Sequence, residues 1–124
     1  MLSECEMMAF TQTAQPEKAK VFYGDVLGLK FLGDSPLALD FLAGTTTLKI
    51  QKVRSFTPVP FTSLGWKVPD VGATVQRLLA KGIACERYKG MNQDEHGIWL
   101  APSGAKVCWF KDPDGNVLSL TEFP

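Results

Sequence analysis

The sequence is short of the residues from which most catalytic and metal centres are built. Histidine occurs once, at His96, and cysteine three times, at Cys5, Cys85 and Cys108. Cysteines that are odd in number, widely spaced and without Cys-x-x-Cys spacing offer neither a disulfide framework nor a thiolate metal site, and they point to a reducing compartment. Charge of one sign is also missing, since 13 Lys and Arg balance 13 Asp and Glu. Without a basic surplus there is no electrostatic footprint for nucleic acid or an anionic membrane, so neither is expected as a partner. No apolar run approaches the roughly 20 residues of a membrane span, and the opening MLSECEMMAF lacks the basic start and apolar stretch of a signal peptide. The expected location is the cytoplasm. A phosphate-cradling glycine loop, a nucleophile–base pair and a paired-carboxylate arrangement are absent too.

What is present is enough for one domain: 124 residues can bury about two-thirds of their unfolded surface without staples. Two segments carry apolar residues at helical spacing with proper ends. The first starts at Pro16, has Glu17 in its first turn, carries Ala19, Phe22, Tyr23 and Val26 on one stripe and stops at Gly28. The second is capped by Asp70, carries Val71, Val75, Leu78 and Leu79, and ends at Lys81 and Gly82. The remainder predicts short strands over residues 7–13, 29–33, 37–43, 46–53, 63–68, 83–87, 105–111 and 116–121, separated by Gly, Asp, Ser and Pro turns.

The order strand, helix, three strands therefore occurs twice. An offset of 55 residues lays Gln15 over Asp70 and brings Gly28 within one position of Gly82, while TTLKIQK falls on NVLSLTE. Half a chain with one helix would leave a sheet face bare, so the two halves are expected to form a single domain, 1–124, of two modules, 1–57 and 58–124. The boundary lies in the proline-containing stretch SFTPVPF.

Three stretches in this order, FYGDVLGLKF, VPDVGATVQRLLAKGI and WFKDPDGNVLSL, resemble the vicinal oxygen chelate superfamily of glyoxalases, extradiol dioxygenases and bleomycin-resistance proteins. The resemblance spans nearly the whole chain. It implies an α+β fold of two tandem βαβββ modules whose curved mixed sheets surround a cavity, with helices outside, and it implies a homodimer. Enzymes of the superfamily usually hold one divalent metal. The positions where its ligands are expected carry Met8, Ser63, Lys49 and Ser119 here, a thioether, two hydroxyls and an ammonium. A register slip of two residues adds only Glu6 as a donor, and one carboxylate is not a site. The expectation is therefore no metal and no cofactor, a divalent metal being the alternative.

Strand alternation together with the resemblance gives the expected lining of the cavity: Met8, Phe10, Gln12 and Lys49 from the first module, and Ser63, Lys67, Val107, Trp109 and Ser119 from the second. Thioether and aromatic groups with a few polar ones are the usual composition of a small-molecule site. Trp109 has two roles open to it, core packing and ligand contact. Lys49 either holds an anionic oxygen or pairs with an acidic neighbour. In the long loop MNQDEHGIW, Glu95 and His96 are lid candidates, whereas three adjacent side chains at Asp94, Glu95 and His96 cannot all point at one ion. DPDGN is expected to be a tight turn and Cys108 a buried thiol facing away from Trp109. Three functions fit: a metal-independent binding protein for an anionic or partly aromatic small molecule, a metal-dependent lyase, isomerase or dioxygenase, and an interaction module with no usable cavity.

Overall fold

The computed structural model describes residues 1–124, which divide into two compact units, Met1–Thr57 and Pro58–Pro124. Each unit is one helix and an open four-stranded sheet. The first holds β1 (Met8–Thr13), α1 (Pro16–Val21), β2 (Lys30–Asp34), β3 (Ala38–Ala43) and β4 (Thr46–Lys52), with sheet order β1-β4-β3-β2. The second holds β5 (Thr62–Lys67), α2 (Val71–Ala80), β6 (Trp99–Leu100), β7 (Lys106–Lys111) and β8 (Val117–Glu122), in order β5-β8-β7-β6. In both units the first strand runs parallel to the last and the other pairs are antiparallel. The α+β fold of two βαβββ modules is thus the observed one, built from open sheets.

Within each unit one sheet face is buried against its helix. In the first, Leu39, Phe41, Leu48 and Ile50 are buried with Ala19, Phe22 and Tyr23. The Tyr23 and Phe41 rings lie 6.2 Å apart. In the second, Cys108, Phe110, Leu118 and Leu120 are buried together with Val71, Val75 and Leu78 of α2. Period-two alternation then sends Trp109 and Ser119 to the opposite, helix-free face, and Cys108 away from Trp109 as expected.

The helices show how local sequence meets packing. α2 is capped as its sequence predicts: the Asp70 carboxylate accepts from the Ala73 amide (2.9 Å). At its end the Gly82 amide donates to the Leu79 carbonyl and the Ile83 amide to Leu78, a closure that requires the left-handed backbone of Gly82 (φ +84°). The predicted first helix, by contrast, is α-helical only to Val21 and continues as a π-helical turn, Phe22–Val26, with the Leu27 amide reaching the Phe22 carbonyl at 2.9 Å. The extra residue in that turn allows two consecutive aromatics, Phe22 and Tyr23, to enter the core, where their rings meet edge to face at 5.2 Å.

One predicted strand is not formed. Residues 83–87 lie beside β7 but share one backbone hydrogen bond with it, from the Glu86 amide to the Trp109 carbonyl (2.7 Å). The Gln93 side chain bonds backbone at the end of this segment: its amide oxygen accepts from Tyr88 N (2.7 Å), and its nitrogen donates to the carbonyls of Glu86 (2.9 Å) and Gly97 (2.7 Å). A side-chain amide thus satisfies the edge where a strand partner was expected. The ladder on β7 is supplied instead by the short β6.

The DPDGN segment is a turn closed from within. Asp112 Oδ1 accepts from the amides of Asp114 and Asn116 (2.9 Å each), and Asn116 Nδ2 donates to Asp112 Oδ2 (2.8 Å).

Candidate functional site

The helix-free face of the second sheet is built around one row of residues. Register places Ser119 of β8 between Trp109 of β7 and Gly65 of β5. Next along the face, Thr121 pairs with Val107 on one side and Lys67 on the other, and Val107 pairs with Trp99 of β6. Trp109 is half-buried and forms the centre of an aromatic group: its ring lies 5.6 Å from Tyr88, nearly perpendicular, and 6.2 Å from Trp99, tilted by 33°. Its indole Nε1 donates to Thr62 Oγ1 at 3.1 Å, which fixes the ring plane. Burial pushes the Tyr88 hydroxyl pKa up, with nearby Glu86 adding to the effect, so this phenol stays neutral at physiological pH.

Lys67, Val107, Trp109 and Ser119 therefore share a face, while Ser63 does not sit where strict alternation puts it. β5 carries an irregularity between Thr62 and Leu64, so that Thr62 pairs with Val117 and Leu64 with Leu118. Ser63 is the extra residue, and its hydroxyl donates to the Val117 carbonyl (3.2 Å). Thr62 takes the inward place that alternation assigned to Ser63. Besides Thr62, the sequence reading missed Tyr88 and Trp99 as members of this face, and it offered Gly65 only as a two-residue slip of Ser63. A glycine inside a strand pattern, SLGWK, was the one signal available for the β5 irregularity, since such a glycine marks a bulge or a close approach. Tyr88 and Trp99 lie on segments whose path depends on the Gln93 bonds.

In the first unit, Met8, Phe10 and Gln12 of β1 stand beside Thr47, Lys49 and Gln51 of β4, again on the helix-free face. Met8 and Phe10 are about half exposed. Gln12 donates to Gln51 (3.2 Å), and Lys49 Nζ bonds Asp40 Oδ1 on β3 at 2.9 Å. The ammonium at position 49 thus has a carboxylate partner on its own sheet. Lys67 Nζ lies 5.6 Å from the centre of the Phe123 ring.

Glu95 and His96 lie on the other side of the second unit. His96 Nε2 is 3.5 Å from Gln76 of α2 and 3.6 Å from Glu95 Oε1, and it borders a cleft of about 510 Å³ at the start of α2 with Asp70, Gly72, Asp94, Lys106 and Glu122. The loop candidates for a lid thus sit by the helix, on the side away from Trp109. The polar atoms around this cleft are largely committed to the fold. Asp94 Oδ1 accepts from the His96 and Ile98 amides, Glu122 Oε1 accepts from Val71 N, and Asp70 caps α2. We therefore take the aromatic face, not the cleft, as the candidate site.

The donor set at the positions expected for a metal does not fit a divalent ion. A half-exposed thioether at Met8, an ion-paired ammonium at Lys49, and hydroxyls at Ser119 and at Ser63 or its neighbour Thr62 provide no anionic or imidazole ligand. Among the described residues no group of three or more His, Cys, Asp or Glu side chains is arranged to hold a metal.

Comparison with known proteins places this geometry. The description of the glyoxalase/bleomycin resistance protein/dioxygenase superfamily matches residues 8–120. No curated protein matches the chain significantly. Among solved structures, a superfamily member from Sphaerobacter thermophilus is 20% identical with a TM-score of 0.77, covering 98% of this chain and 99% of its own. Lactoylglutathione lyase from Agrobacterium tumefaciens is 20% identical with a TM-score of 0.74, covering 96% and 93%. An antibiotic-binding protein from a Streptomyces species is 24% identical with a TM-score of 0.74, covering 100% and 99%. At these identities the likeness is one of fold, and no helix of the chain is long and apolar enough to cross a membrane. The match over residues 8–120, on two βαβββ units, makes this chain a member of the glyoxalase/bleomycin resistance protein/dioxygenase superfamily.

Proposed function

We propose that the chain is a small-molecule binding protein that works without a resident metal and takes a partly aromatic ligand on the Trp109 face. The observation that carries this reading is the Tyr88–Trp109–Trp99 group, centred beside Ser119, the position for which the superfamily resemblance implies a metal-binding carboxylate. Rigid, pre-positioned aromatic rings give stacking area at little conformational cost. Of the two ligand classes the sequence leaves open, the aromatic one is better supported than the anionic one. Lys49 is paired with Asp40, and Lys67 lies over Phe123. The antibiotic-binding neighbour is a binding protein on the same fold, which is compatible with such a role. We also propose a homodimer, a second copy covering the half-exposed Met8 and Phe10; gel filtration at monomer mass would overturn that part.

The test has two arms. Metal analysis of protein purified without chelator should find less than one equivalent, and Ni²⁺, Mn²⁺, Zn²⁺ or Fe²⁺ should leave Tm unchanged, because an ion bound only by the folded state must raise it. Planar aromatic compounds should quench tryptophan fluorescence saturably without being consumed, and Trp109→Ala should abolish the quenching. One tightly held metal per chain, or turnover that depends on metal, would overturn the reading in favour of a metal-dependent enzyme.

A further inference from the structure

Beside the aromatic group lies a small polar niche that packing alone does not require. Ser119 is 8% exposed and its hydroxyl has no hydrogen-bond partner among the described residues. No buried side-chain oxygen or nitrogen of the chain lacks a partner, so the Ser119 oxygen, unpaired within the protein, is open to the face and can bond what lies there. On the β5 side the neighbour is the exposed Gly65, where a Cβ would lie 2.8 Å from Ser119 Oγ and 4.0 Å from Thr62 Cγ2. A side chain at position 65 would have to displace the Ser119 hydroxyl, while the Thr62 methyl lies at ordinary contact distance. On the β7 side the neighbour is Trp109, whose indole is held by Thr62 Oγ1. Thr62 accepts that bond through oxygen and keeps its own proton to donate.

The Ser119 hydroxyl thus borders the space left by the missing side chain of Gly65, with Trp109 on its other side and the Thr62 hydroxyl bonded to the indole. We infer that this niche reads a carbonyl oxygen on a neutral, planar aromatic ligand stacked against Trp109, with Ser119 as the specificity-determining donor. The inference rests on the reading of this face as a small-molecule site and names the chemistry it selects. A carbonyl oxygen suits the niche because the Ser119 hydroxyl keeps a proton to donate. A carboxylate is disfavoured because burying it here would require a cation, and the ammonium on this face, Lys67, lies over Phe123.

The experiment uses two probes of the same three-ring shape, 9-fluorenone, which has a ring carbonyl, and fluorene, which lacks it. Equilibrium dialysis measures both against the full chain, Ser119→Ala and Thr62→Val, each variant first checked for an unchanged thermal melt. Wild type should bind fluorenone about tenfold more tightly than fluorene, the scale of one net hydrogen bond in a desolvated site. Ser119→Ala should erase that preference while leaving fluorene affinity within twofold, and Thr62→Val should reduce it in part. If wild type binds both probes equally, the face is a binding site but the niche does not read the oxygen. A preference that survives Ser119→Ala also overturns the inference. If neither probe binds wild type, the small-molecule reading of the face falls with it.

Discussion

The two units place the same backbone geometry under different side chains. Across the first sheet one row reads Phe10, Lys49, Asp40; the equivalent row of the second reads Gly65, Ser119, Trp109. In the first, charge is neutralised within the sheet by the Lys49–Asp40 pair. In the second, a glycine stands where the first has a phenylalanine, a hydroxyl is left without a partner, and the ring sits on the other flanking strand. The helix-side faces diverge far less, with Phe41 and Phe110 both buried and aromatic. Core faces answer to packing density, which constrains both copies alike; the helix-free faces are under no such constraint from their own helix, and there the copies have parted.

The largest expected effects probe the shared half of that comparison. Phe41→Ala and Phe110→Ala should each cost about 3–5 kcal/mol in urea unfolding, since each empties a fully buried site. A variant that loses less than about 1 kcal/mol would mean that its unit's core is not the equivalent of the other's. Next comes the steric contact peculiar to the second unit. Gly65→Ala should destabilise by about 1–3 kcal/mol through the 2.8 Å approach to Ser119 Oγ. Adding Ser119→Ala should restore most of the loss, and a purely additive double mutant would show that the two positions do not touch.

The ion pair of the first unit should matter little. Lys49→Ala and Asp40→Ala, both at positions about a third exposed, should each shift stability by about 0.2–1 kcal/mol, less at high salt. Lys49→Ala should also leave the affinity for fluorenone within twofold, and a larger loss would move the site toward the first unit. The smallest effect is a pH dependence. The Tyr88 pKa is raised in the folded chain, so its contribution is fully present below the ordinary tyrosine pKa and is lost as pH rises through the raised one. Stability of wild type should therefore decline somewhat more steeply above pH 10 than that of Tyr88→Phe, and identical profiles would place Tyr88 outside the aromatic group.

How far the residues could be read depended on how local the deciding interaction was. Asp70 and Gly82 announce the ends of α2 because a cap is settled within a few residues, and DPDGN announces its turn because Asp112 and Asn116 bond within the same five residues. The α1 stripe was legible, but not the widening after Val21, which is set by the demand of two adjacent aromatics for one core. The expected strand over residues 83–87 failed because Gln93, several residues away, bonds the backbone that a strand partner would have bonded.

By itself the sequence determined the repeated strand–helix–strand order, the apolar stripes of the two helices and the superfamily, because periodicity and turn chemistry are properties of neighbouring residues. It also placed Ser119 and Lys49 where a metal carboxylate was expected, since residue type at a register position needs no coordinates. Only the tertiary structure decided that Lys49 is tied to Asp40, that the extra residue in β5 exchanges Ser63 for Thr62, and that Tyr88, Trp99 and Trp109 converge. Each of these turns on which distant strand lies alongside and in which register. A one-residue irregularity reverses the face a side chain presents, and nothing within the strand's own sequence fixes it.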